Sequence, residues 1–128
     1  MPPPRGDRRL PAVNDLNQSI ERVRTRIETA TERAGRRSED VAVLPITKGH
    51  SSALIRSVAE AGFKAIGENR VAEAASKQAE IGRLGLKWHM VGHLQRNKAG
   101  SAVGLFDVIE SVDSLALGRR LQRMAERE

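Results

Sequence analysis

From residue 41 onward, short apolar runs and amphipathic stretches alternate four times, which restricts the chain to a parallel α/β architecture. Runs of strand length lie at 41–47, 63–66, 86–91 and 107–111. A helical spacing follows each of them. Leu54, Ile55 and Val58 follow the first, starting at Ser51 or Ser52 and ending near Gly62, and residues 70–81 follow the second. Residues 94–103 follow the third, and Leu117, Leu121 and Met124, opened by Asp113 or Ser114, follow the fourth. Strand–helix–strand units of this kind join into a parallel sheet through right-handed crossovers. Ahead of them, Leu16, Ile20, Val23, Ile27, Ala30 and Ala34 recur at steps of four and three. They mark an amphipathic helix started by Asn14 or Asp15 and stopped by Gly35.

Two closures fit this alternation: an open doubly wound sheet or part of a (β/α)8 barrel. Neither a Gly-x-Gly-x-x-Gly turn nor a phosphate-binding P-loop is present, so the nucleotide-binding form of the open sheet lacks its fingerprint. Pro45 falls within the first run, where its missing N–H removes a ladder bond, and it is best accommodated at an edge or a bulge.

Residues 1–12 are rich in Pro and Arg without periodicity, and they are expected to form a disordered leader to one domain over 13–128. The chain has no cysteine, which excludes disulfides and thiolate metal sites. No apolar run approaches the ~20 residues of a membrane span. No signal-peptide core opens the chain, so the expected location is the cytoplasm. A net charge of +6 suits nucleic acid. It equally suits a phosphorylated small molecule. The basic residues are dispersed, and Trp88, Phe63 and Phe106 are the only aromatics, too few for a base-stacking platform.

Three positions could carry chemistry. Lys48 follows the first apolar run, at the strand end where parallel α/β folds bind ligands. Alternation aligns it with Ala42, Leu44 and Ile46, so its amine is expected to emerge from an apolar wall. Burial there would lower its pKa and leave a neutral amine able to attack an aldehyde. A plain surface lysine explains the same residue. Gly67-Glu-Asn69 occupies the corresponding turn of the second unit, where Asn69 can either meet a ligand or cap the next helix. His89 sits mid-strand beside Trp88, either as a core histidine with a partner or as a ligand contact, and His93 stands at the strand end. With His50 these are the only histidines, and no metal-binding spacing joins them. Together the three strand ends present Lys, Asn and His toward one cavity.

Leu44-Pro-Ile-Thr-Lys48, Gly67-Glu-Asn69, Trp88-His-Met-Val-Gly-His-Leu-Gln-Arg-Asn-Lys98 and Ser111-Val-Asp-Ser114 resemble, in order and spacing, the landmarks of the pyridoxal-phosphate (PLP) homeostasis family, YggS/PROSC. The resemblance covers roughly residues 14–127. It implies a PLP-binding TIM-type barrel similar to the N-terminal domain of alanine racemase, of which this chain holds a leading helix and about four βα units. It also implies that Lys48 forms the Schiff base with PLP, that Asn69 lies near the cofactor, and that His89 lines the barrel. Members resemble carriers or regulators of the vitamin B6 pool more than enzymes.

Two departures accompany the resemblance. Family members usually carry a proline-containing turn after the lysine, whereas this chain has Gly49-His-Ser-Ser52. They also continue for about as long again, through the segments that grip the cofactor phosphate and the pyridine nitrogen. The chain is therefore expected to represent the N-terminal half. Alone, it is expected to be marginally stable, to self-associate or to pair with a complementary C-terminal half. Loss of PLP binding in such a fragment, or a basic nucleic-acid-binding module, are the competing functional readings.

Overall fold

The computed structural model describes residues 13–127, so the leader assigned to 1–12 lies outside the described residues. The described chain forms two compact units that divide between Val43 and Leu44.

The first unit is built on helix α1, Val13–Arg33. Asp15 falls inside its first turn rather than at a cap, where a carboxylate still complements the helix dipole. Leu16, Ile20 and Ile27 are half-buried along the predicted stripe, while Val23 is exposed. The helix stops where Gly35 takes φ +66°. The Arg36 amide then reaches the Thr31 carbonyl at 2.8 Å and the Gly35 amide reaches that of Glu32 at 3.1 Å. These two bonds are the Schellman pair that satisfies the last carbonyls of a helix.

The second unit has three parallel strands in the order β1 (Ala65–Glu68), β2 (Lys87–Met90) and β3 (Val108–Ile109). Helix α2 (Ser52–Glu60) precedes β1, α3 (Val71–Ile81) links β1 to β2, α4 (Ala99–Leu105) links β2 to β3, and α5 (Leu115–Glu126) follows. Ser114 caps α5, its Oγ accepting from the Leu117 amide, as the sequence predicts.

The apolar run at 41–47 does not form the predicted buried strand. Val41 and Val43 are exposed, and the run pairs with β1 only through a single parallel bridge, Ile46 to Gly67. Pro45 explains the shortfall. The Pro45 carbonyl accepts from the Gly67 amide and the Thr47 amide donates to the Gly67 carbonyl. By the alternation of a strand, the nitrogen of Pro45 faces β1 as well, and with no hydrogen to give it cannot extend the ladder. The proline thus lies at the sheet edge, where the sequence placed it.

Alternation along the strands separates two faces. Ile66, Glu68, Trp88 and Met90 point to the helix-covered side, where each is at most 1% exposed, and Ile55, Leu94 and Leu117 complete that core. Burying an aliphatic side chain such as Ile55 or Ile66 contributes about 1.5–3 kcal/mol. The opposite face carries Ile46, His89 and Val108, and there Ile46 is 42% and Val108 37% exposed.

Candidate functional site

The bridge at Ile46 and Gly67 fixes the register of the site. Lys48 and Asn69 each stand two residues beyond it, and His89 pairs with Gly67 directly. Alternation within β2 turns His89 to the open face of the sheet, while Lys48 and Asn69 follow the ends of their segments at its C-terminal edge.

Lys48 occupies a tight turn. The His50 amide donates to the Thr47 carbonyl at 3.2 Å, which puts Lys48 and Gly49 at the two central positions. Gly49 has φ +71°, the left-handed conformation that the third position of a type II turn demands. The residue that departs from the family's usual turn is thus the one that lets the chain reverse here. Lys48 itself is exposed, so the apolar wall expected around its amine does not enclose it.

Asn69 lies against Gly92. A β-carbon at Gly92 would fall 2.3 Å from the Asn69 carbonyl oxygen and 2.8 Å from its Cα, so only glycine permits this approach. Beside this contact opens a cleft of about 310 Å³ lined by Asn69, Met90, His93, Leu94, Gln95 and Lys98, among others. Asn69 and His93 thus share one cleft, while Lys48 and His89 do not line it. The N-cap of α3 is Arg70, so Asn69 does not serve as that cap.

His89 is 19% exposed, and its Nδ1 lies 2.6 Å from Oε1 of Glu110, just beyond β3. A carboxylate only accepts, so Nδ1 carries the proton of this hydrogen bond. Trp88, on the other face, donates from its indole to the Arg83 carbonyl. The strand alternation predicted this division of Trp88 and Met90 from His89.

Beneath the Lys48 turn lies a polar cluster that periodicity does not reveal. Lys77 of α3 is 8% exposed at its side chain, and Glu68 of β1 is fully buried. The Lys77 ammonium donates to Glu68 Oε1 at 2.6 Å, to Glu73 Oε1 at 2.9 Å and to the Thr47 carbonyl at 2.9 Å. The Thr47 hydroxyl donates to Glu68 Oε1 at 2.6 Å, and the Gly49 amide to Glu73 Oε1 at 2.7 Å. Partial burial pushes the Glu73 carboxyl up. The hydrogen bonds from Lys77 and Gly49, with the charges of Lys77 and Arg70, outweigh it and hold the group below its ordinary 4.5.

No group of three or more His, Cys, Asp or Glu among the described residues is arranged to hold a metal ion. No described helix is long and apolar enough to cross a membrane.

No protein-family model matches the chain. It is 37% identical over 120 residues to the pyridoxal phosphate homeostasis protein of Mycobacterium tuberculosis, a match covering 86% of this chain and 46% of that protein. To the protein of the same name from Escherichia coli it is 35% identical over 119 residues, covering 89% and 51%. Among solved structures it resembles PipY of Synechococcus elongatus with PLP bound. The TM-score is 0.68 and the identity 44%, over 79% of this chain and 48% of PipY. The chain spans about half the length of the curated relatives it matches.

Proposed function

For a chain whose relatives are the pyridoxal phosphate homeostasis proteins, we propose binding of PLP through a Schiff base to Lys48, in the service of vitamin B6 homeostasis. The observation that supports the reading is the 44% identity to a structure holding PLP, together with Lys48 and Asn69 each standing two residues beyond the bridge at the C-terminal edge of the sheet. The residues suit the cofactor's chemistry. When bound, PLP supplies an aldehyde that condenses with a primary amine. Lys48 offers an exposed amine on a hydrogen-bonded turn, and Asn69 presents both donors and acceptors to a ring substituent. Nζ of Lys48 would supply the amine for that condensation, its two hydrogens leaving with the carbonyl oxygen as water. His89 is held in place by Glu110 on the open side of β2.

The partially exposed face bearing Ile46 and Val108 is what further βα units of a (β/α)8 barrel would cover, which supports reading this unit as part of such a barrel. The role we propose is that of a carrier or regulator of the vitamin B6 pool, as the relatives named for pyridoxal phosphate homeostasis suggest.

PLP titration followed by borohydride reduction and peptide mapping tests the proposal. Saturable visible absorbance with the adduct on Lys48, abolished in Lys48→Ala, is expected. Scattered labelling that survives Lys48→Ala overturns it and favours a chain that keeps the family's sequence without its binding.

A further inference from the structure

We infer that Glu73 and Lys77 are positioning residues that clamp the Lys48 turn from beneath, one on each side of the reactive lysine. The inference rests on the reading of Lys48 as the PLP-binding amine. The carbonyl of Thr47 is gripped by the Lys77 ammonium at 2.9 Å, and the amide of Gly49 by the Glu73 carboxylate at 2.7 Å. These are the residues immediately before and after Lys48. Both grips come from α3, and the two gripping groups are themselves joined at 2.9 Å. The Thr47 side chain is tied to the same assembly through Glu68. Lys48 contributes no side chain to it, so its amine stays free while the peptide units around it are held.

Stability alone is a weak reason for this arrangement. Burying an ammonium and a carboxylate carries a heavy desolvation cost, and apolar replacements of such groups are often neutral or better. Oε2 of Glu68 moreover has no hydrogen-bond partner, so the cluster is not a fully satisfied network. What it does achieve is geometric. An edge segment paired with β1 through one bridge has little ladder to hold it, and the clamp supplies the anchorage that Pro45 denies. A held amine meets an aldehyde as an oriented reactant, and misplacement by an ångström can cost up to about 100-fold in rate.

Glu73→Ala is the informative variant. Glu73 is partly exposed, and its removal leaves Lys77 still bonded to Glu68 and Thr47. Glu73→Gln keeps an oxygen that can accept from Gly49. Two readouts are taken on all three chains: amide hydrogen exchange at Gly49 without PLP, and the initial rate of borohydride-trapped labelling of Lys48 by PLP across pH. The expected result is faster Gly49 exchange and Lys48 labelling slowed on the order of tenfold in Glu73→Ala, with substantial recovery in Glu73→Gln. Unchanged labelling in Glu73→Ala, with Lys48 still the selective target, overturns the clamp and leaves the reading of Lys48 standing. No selective labelling of Lys48 in the unaltered chain overturns that reading, and a positioning role for Glu73 falls with it.

Discussion

His89 and Glu110 face each other across neighbouring strands, with Nδ1 and Oε1 2.6 Å apart on the open side of the sheet. The carboxylate selects the tautomer of the ring. Glu110→Ala is expected to release that choice, moving the proton toward Nε2, the nitrogen favoured in a free histidine side chain. Imidazole ¹⁵N shifts above neutral pH report the change directly. An unaltered tautomer ratio would mean that the sheet, not Glu110, orients the ring. The stability cost is expected to stay within about 1 kcal/mol because the pair is partly exposed.

Acid sensitivity follows from two carboxylates. Burial pushes Asp107 up, but the Trp88 amide at 2.8 Å, the Arg83 guanidinium at 2.6 Å and the charge of Lys87 prevail, leaving it below its ordinary 3.8. Glu73 is likewise held below 4.5. A group depressed in the folded state binds its proton more readily when the chain unfolds. Its stabilisation is therefore complete above the ordinary value and fades as pH falls through the folded one. Urea midpoints should stay level from neutrality to about pH 5 and fall below pH 4.5. Asp107→Asn should lower the midpoint at pH 7 and flatten the acid limb; an equally steep limb in that variant counts against its role.

Gly67 of β1 and Gly92, just beyond β2, should respond differently to a methyl group. At Gly92 the new carbon meets the backbone of Asn69 at 2.3 Å, and backbone cannot swing aside. At Gly67 the nearest atom is Cδ1 of Ile46 at 2.6 Å, the tip of a side chain that is 42% exposed and free to change rotamer. Gly92→Ala should destabilise by about 1–3 kcal/mol, the scale of overpacking. Gly67→Ala should cost less, though Val91 at 3.2 Å keeps it from being neutral. Thermal melts of the two variants side by side decide it, and the reverse order would contradict the packing described.

Periodicity carried α2, α3 and α5 well because each has a face to bury, whereas the helix read at 94–103 is α4 at Ala99–Leu105, preceded by a 3-10 turn at Arg96–Lys98. Helix α3 begins one residue after the predicted start, and Ser114 caps α5 as read. Strands were harder. An apolar run at 41–47 reads as a buried strand whatever lies beside it, and only the direction of the Pro45 nitrogen shows why pairing stops. The last strand is two residues long, against five in its apolar run. Of the proposed site, Lys48, Asn69 and His89 stand out in the sequence because each lies beside a distinctive motif. Glu73 and Lys77 do not. In sequence they form an ordinary i,i+4 pair on a helix, and it takes the tertiary placement of Glu68 and Thr47 to bury one and aim the other.

That buried pair supports a double-mutant test. Lys77→Met removes the charge that faces Glu68, a residue with no exposure and one oxygen already without a partner. The carboxylate is then left with only the Thr47 hydroxyl. Breaking a buried pair from one side costs about 3–5 kcal/mol. Small domains have only about 5–15 kcal/mol to lose, so the single variant should be largely unfolded by circular dichroism or by loss of its urea transition. Replacing both partners, Lys77→Met with Glu68→Leu, removes the stranded charge and should recover much of the loss. The coupling is the observable: the double variant must be more stable than the single one. If Lys77→Met alone melts like the unaltered chain, Glu68 has found water or a proton, and the cluster contributes less than its burial implies.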